Sequence, residues 1–101
     1  MAMWVKIAEI GEIAPGAAKA FDVEGHVIAV FNVDGKLYAI DDSCPHQGSS
    51  LAAGSLEGFV VTCRSHGFKI NVTGGEQQPG AGMNVRTFPL ELRPDGLYVG
   101  V

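Results

Sequence analysis

A chain of 101 residues, 47% of them hydrophobic, is long enough for one core and too apolar for wholesale disorder. Its formal net charge of −4 argues against nucleic-acid binding, which calls for a basic stripe, and leaves room for docking on a basic patch of a protein partner. The longest apolar run, Val27 to Phe31, is far below the roughly 18 residues of a membrane span. Met1 to Lys6 lacks a basic stretch followed by an apolar core, so no signal peptide is read and the cytoplasm is the expected location.

The elements expected along the chain are nearly all strands. Trp4 to Ala8 comes first, then Phe21 to Val23 and His26 to Val33, joined by the turn residues Glu24-Gly25. Asp34-Gly35 is a strong hairpin signal, because a type I′ turn needs positive φ at both central positions, and it leads into Lys36 to Ile40. Ser49 to Ala53 has room for one helical turn at most. Phe59 to Thr62, Phe68 to Val72, Val85 to Glu91 and Leu97 to Val101 complete the strands, with Asp95-Gly96 marking a second hairpin between the last two. Gly74 to Gly82, rich in glycine with one proline, reads as a loop.

Two short segments carry the chemistry. Cys44-Pro45-His46 and Cys63-Arg64-Ser65-His66 each offer one thiolate and one imidazole, and each follows a strand, so both can sit on loops at one end of a sheet. With only two cysteines and no sign of export, these residues read as metal ligands rather than a disulfide. Cys₂His₂ is an ordinary zinc set, but zinc pairs usually space their cysteines by two to four residues. Cys-x-His is a tight fit around one ion. A binuclear centre relaxes this, since one iron takes both cysteines and the other both histidines.

The pattern C-P-H, residues 47–62, then C-R-S-H closely resembles the Rieske signature C-x-H…C-x-x-H. Gly67 and Phe68 after the last histidine agree, as do the stretches Phe31 to Ile40 and Arg93 to Val99, so the resemblance covers nearly the whole chain. It implies an all-β Rieske fold over 1–101: an antiparallel β-sandwich or barrel-like base, with a small cluster-binding subdomain over about residues 43–84. It further implies one Rieske-type [2Fe–2S] cluster per chain, with Cys44 and Cys63 on the inner iron and His46 and His66 on the outer one. Two neutral imidazoles in place of thiolates remove negative charge, which raises the potential above that of an all-cysteine ferredoxin.

High-potential respiratory members of the family carry a second cysteine in each loop and place a serine and a tyrosine hydroxyl against the cluster. Ser49 and Ser65, and then Phe68 and Ile70, stand at the matching places here, which predicts a potential near the low end of the range. A Rieske oxygenase needs a further iron on two histidines and a carboxylate, and with two of three histidines on the cluster only His26 is left. The expected role is therefore that of a soluble, monomeric one-electron carrier rather than an enzyme, taking electrons from an NAD(P)H-dependent flavoprotein reductase and passing them to a terminal, aromatic-ring oxygenase. The alternatives are the small subunit of an NADH-dependent nitrite reductase and a zinc-stabilised interaction domain. His26 is expected to be an ordinary strand-start residue, and Trp4 and Tyr38 to be packing residues. Gln47, Gly48 and Arg64 are placed on the rim of the docking face. Gln78-Pro79-Gly80 is the candidate cover over the cluster, against an ordinary exposed loop.

Overall fold

The computed structural model describes residues 3–43, 50–64, 67–75, 77–78 and 84–101. Among them are eleven strands: β1 (Trp4–Ala8), β2 (Ala18–Val23), β3 (His26–Val33), β4 (Lys36–Asp41), β5 (Ser55–Glu57), β6 (Val60–Thr62), β7 (Lys69–Asn71), β8 (Gln77–Gln78), β9 (Thr87–Phe88), β10 (Leu90–Arg93) and β11 (Gly96–Gly100). One 3-10 turn, Leu51–Ala53, is the sole helical element among the described residues, and none is long and apolar enough to cross a membrane. The strands form three antiparallel sheets, ordered β1-β11-β10, β2-β3-β4-β9 and β5-β6-β7-β8. The all-β reading of the sequence is thus the observed class.

The longest apolar run has a simple physical origin. Successive side chains on a strand face opposite sides, and β3 is covered on both. Ile28 and Val30 join one core cluster with Val99, Leu97 and Phe88, which lies between the second sheet and the first. Ala29, Phe31 and Val33 join another with Ile40, Leu51, Val61, Cys63 and Ile70, which lies between the second sheet and the third. Residues 28–31 are all 0% exposed. The middle sheet is therefore the shared wall of two cores.

Both hairpin turns flanking β3 adopt the mirror-image conformation, which the sequence predicts at Asp34-Gly35. Asp34 and Gly35 have φ of 52° and 93°, and Glu24 and Gly25 have 51° and 83°. Buried Asn32 fixes the first of these turns, accepting from Gly35 N–H at 2.7 Å and donating to the Ile13 carbonyl at 2.8 Å.

Four local readings change. Val85 to Glu91 is not one strand, because Pro89 has no N–H for a ladder and the chain crosses there from β9 in the second sheet to β10 in the first. β5 went unread because Ser55-Leu56-Glu57 is too short for its alternation to stand out. β8 lies inside the segment 74–82 read as loop. In the β10–β11 hairpin Arg93 pairs with Gly96, so Pro94-Asp95 form the connection and Gly96 opens the strand. A Cβ on Gly96 would meet the Ala8 carbonyl oxygen at 2.6 Å, which is why glycine stands there.

That hairpin carries a titrating contact. The Tyr98 hydroxyl donates to Asp95 Oδ2 at 2.6 Å, which holds the Asp95 carboxyl below its ordinary range and the Tyr98 hydroxyl above its own. A lowered carboxyl stabilises the fold at pH above its unfolded value; a raised phenol does so at pH below its own. The thermal midpoint of the native chain should therefore exceed that of Tyr98→Phe by a constant margin between about pH 5 and 9. The margin should shrink below about pH 4 and above about pH 10, as thermal melts across that range will show.

Candidate functional site

Of the four candidate ligands, Cys63 lies among the described residues, whereas Cys44, His46 and His66 fall outside them, as do Gln47, Gly48, Ser49, Ser65, Pro79 and Gly80. The described chain fixes the stems from which the two ligand segments spring.

The first stem is built by acidic residues that sequence reasoning passed over. Asp41 closes a local turn, its Oδ1 accepting from Ser43 N–H at 3.1 Å. Asp42 is only 6% exposed; its Oδ1 accepts from Ser50 Oγ at 3.0 Å and Ala52 N–H at 2.9 Å, and its carbonyl accepts from Leu51 N–H at 2.7 Å. The Asp42 N–H donates to the Val27 carbonyl, and Ser43 forms a β-bridge with Ser50. Asp42 does for the Leu51–Ala53 turn what its N-cap residue Ser50 leaves undone, since the Ser50 side chain makes no cap bond. The chain is thus tied together on the two sides of residues 44–49.

The second stem is the mouth of the β6–β7 hairpin. The Cys63 N–H donates to the Phe68 carbonyl at 2.7 Å and Gly67 N–H donates to the Cys63 carbonyl at 3.1 Å, with Gly67 at φ 70°. Cys63 is 1% exposed and packs in the core cluster with Leu51, Val61 and Ile70. Arg64, next along, is exposed. Phe68 packs against the same core and Ile70 is fully buried within it, so neither position offers a hydroxyl.

The stems meet through backbone. A Cβ built on Gly54, just after the 3-10 turn, would sit 2.3 Å from the Thr62 carbonyl oxygen and 3.2 Å from that of Leu51. Only glycine lets the exit of the first stem lie against the last residue before Cys63. Leu51 and Cys63 share one core cluster as a result. A third segment arrives beside them: β8 ends with Gln78 opposite Lys69, and Val85 N–H donates to the Gly75 carbonyl at 2.8 Å, closing residues 76–84 at their base. Gly75, at φ 78°, would bring a Cβ to 2.2 Å from the Val85 carbonyl oxygen. The candidate cover at residues 78–80 thus starts from a strand position next to Phe68.

The donor chemistry at the one described ligand position fits an iron–sulfur site. A buried thiol against aliphatic side chains is a soft donor shielded from water, which suits the inner iron of a binuclear cluster. His26 takes no part in either stem; it opens β3 and lies edge-on to the Phe88 ring at 5.7 Å.

A sequence model of the Rieske [2Fe–2S] domain matches residues 3–89. The chain belongs to the Rieske [2Fe–2S] domain family. The ferredoxin component of the alkene monooxygenase system of Xanthobacter autotrophicus is 30% identical over 98 residues, covering 96% of this chain and 80% of that protein. The ferredoxin component of biphenyl 2,3-dioxygenase from Rhodococcus jostii is 37% identical over 95 residues, covering 93% and 89%. A ferredoxin solved in complex with the oxygenase of carbazole 1,9a-dioxygenase superposes with a TM-score of 0.86 at 30% identity, covering 95% of this Rieske chain and 91% of that one.

The stem geometry makes a direct prediction. Gly54→Ala and Asp42→Ala should each lower stability by about 1–3 kcal/mol, the first by steric intrusion and the second by leaving buried donors unpaired. Both should also lower iron content per chain after identical reconstitution. Denaturant unfolding and iron assay, set against the exposed control Lys36→Ala, will show whether the two losses go together.

Proposed function

We propose that this Rieske protein is a cytoplasmic, monomeric one-electron carrier that delivers electrons from an NAD(P)H-dependent flavoprotein reductase to a terminal oxygenase. Cys44 and Cys63 hold the inner iron and His46 and His66 the outer one, in a cluster-binding subdomain of about residues 43–84 inserted in the β base. The observation that carries the reading is the pairing of two closed stems through Gly54 and Thr62, each leading into one half of a Cys/His ligand set. The relatives at 30% identity or above are ferredoxin components of oxygenase systems, which supports the carrier over the nitrite reductase subunit and the zinc domain. Those systems act on an alkene in one case and an aromatic ring in another, so the proposal names an oxygenase without fixing its substrate.

When bound, the cluster supplies a single-electron couple. The residues of this chain do the rest. Cys63, buried against Leu51, Val61 and Ile70, keeps water from the inner side. Arg64, directly after Cys63, is exposed, so the chain reaches the surface within one residue of the buried thiol. The backbone bonds at Asp42–Leu51 and Cys63–Phe68 brace the chain on either side of both segments. Rigid support of this kind favours fast transfer, since little has to move when the charge changes.

Purified protein should be red-brown, hold about two irons and two acid-labile sulfides per chain, and bleach with dithionite. Cys44→Ser, His46→Ala, Cys63→Ser and His66→Ala should each abolish the visible bands, whereas His26→Ala should keep them. A redox titration should place the midpoint near the low end of the roughly −150 to +300 mV range of such centres, given Phe68 and Ile70 where hydroxyl donors would raise it. Colourless protein with stoichiometric zinc would end this reading.

A further inference from the structure

The two cores of this fold are unequal in what they need. Among the described residues, the cluster of side chains holding Ile28, Val30 and Val99 draws only on residues 5–39 and 88–101. It would be complete if the chain ran directly from β4 to β9. The other core borrows its wall: Val61, Cys63, Ile70 and Val72 pack on Phe31 and Ile40 of the middle sheet. The third sheet therefore depends on the middle sheet, whereas the base has a core of its own.

No ladder among the described residues joins the third sheet to the second, so side-chain packing holds them together. The strands of the third sheet run to three residues at most, whereas β2, β3 and β4 run to six or eight. Short strands carry few ladder bonds and open at lower cost than long ones. Both ends of the inserted chain are fastened at one place. The Asp42 N–H donates to the Val27 carbonyl at 2.9 Å and the Asp41 N–H to the Arg86 carbonyl at 2.8 Å, so entry and exit share one end of the middle sheet. Toward the other end the fit is looser. A cleft of about 160 Å³ lies between Val33-Asp34 and Leu56, and one of about 370 Å³ lies between Tyr38 and Val72-Thr73. There the Tyr38 and Phe59 rings meet edge-on with centroids 6.1 Å apart, and Phe59 is 48% exposed. One end is built as a hinge; the other is flanked by clefts and clasped by a ring pair.

Cys63 gives this arrangement a use, because it is 1% exposed and yet has to receive iron. We propose that the third sheet is a hinged flap: in the iron-free chain it swings from the middle sheet about Asp41 and Asp42, with Tyr38 and Phe59 as its clasp, and opens the way to Cys63, and iron binding shuts it. The proposal rests on the ligand reading of Cys63 given above. A group held only by the closed form stabilises that form by mass action, so loading suppresses the opening and leaves the base as it was.

The two faces of the middle sheet serve as reporters. Ala29 lies in the core under the third sheet and is 0% exposed; Ala39 lies in the core of the base and is 3% exposed. Ala29→Cys and Ala39→Cys are each placed in a Cys44→Ser/Cys63→Ser chain, which holds no cluster, and their labelling by N-ethylmaleimide is timed alongside circular dichroism and the denaturant midpoint. Ala29→Cys should react about tenfold faster than Ala39→Cys or more, and adding Phe59→Ala should quicken only the first. Hydrogen exchange on the unsubstituted chain, freed of iron, needs no variant: the amides of Val61 and Ile70 should exchange about tenfold faster than those of Val30 and Val99. Reconstitution with iron and sulfide should erase that difference. Equal labelling of the two faces, or equal exchange in the two regions, means that the chain opens as a whole and overturns the flap. An exchange difference that persists in iron-loaded protein overturns the closing role. A chain that takes up no iron overturns the ligand reading instead, while the two ratios still decide the hinge.

Discussion

The relation between the two stems of this Rieske protein depends on one close approach, the Gly54 backbone against the carbonyl of Thr62. Each stem closes on itself by backbone bonding, at Ser43–Ser50 and at Cys63–Phe68, but those bonds say nothing about where one stem lies relative to the other. The Gly54 contact supplies that relation, and the shared core cluster of Leu51 and Cys63 keeps it packed. The carboxylate of Asp42 works on the same joint from within, tying the chain before the first segment to Ser50 and Ala52 after it. Stems fixed at a set spacing reduce the ordering that binding a cluster would otherwise demand, which leaves more of the binding free energy to stabilise the folded chain.

The middle sheet gives this joint a foundation. Because β3 is covered on both faces, the third sheet rests on a wall that the first sheet also supports. Phe31 and Ile40 reach toward the ligand-bearing side while Val30 and Ala39 reach toward the base. Alternate residues of the same two strands thus serve two cores, and a large-to-small change on either face would be felt by both layers through the strand itself.

How much of this could be read from the sequence follows from where the information resides. Asp34-Gly35 and Glu24-Gly25 are local, since the backbone conformation they need is written in two adjacent residues, and the run from His26 to Val33 announces its burial by its own apolarity. The Cys/His pattern at residues 44–46 and 63–66 is equally local, and the family is legible in it alone. Asp42, Gly54 and Gly75 were invisible for the opposite reason. Their roles exist only against residues elsewhere, Ala52 and Ser50 for Asp42, Thr62 for Gly54 and Val85 for Gly75. Pro89 lies between: its missing N–H was plain in the sequence, and giving it weight would have split the strand drawn through it.

Charge shows the same division between what is summed and what is placed. A net value of −4 is a property of composition, and by itself it selects a basic partner. An electron leaves from one face, however, and at distances within roughly the 8–10 Å Debye length of physiological salt the partner senses that face more than the total. Lys6, Lys19 and Arg93 are spent on neighbouring glutamates, while Arg64, Lys69 and Arg86 are exposed where the stems open, alongside the exposed acids Asp22 and Glu24. A carrier must leave each partner as readily as it finds it.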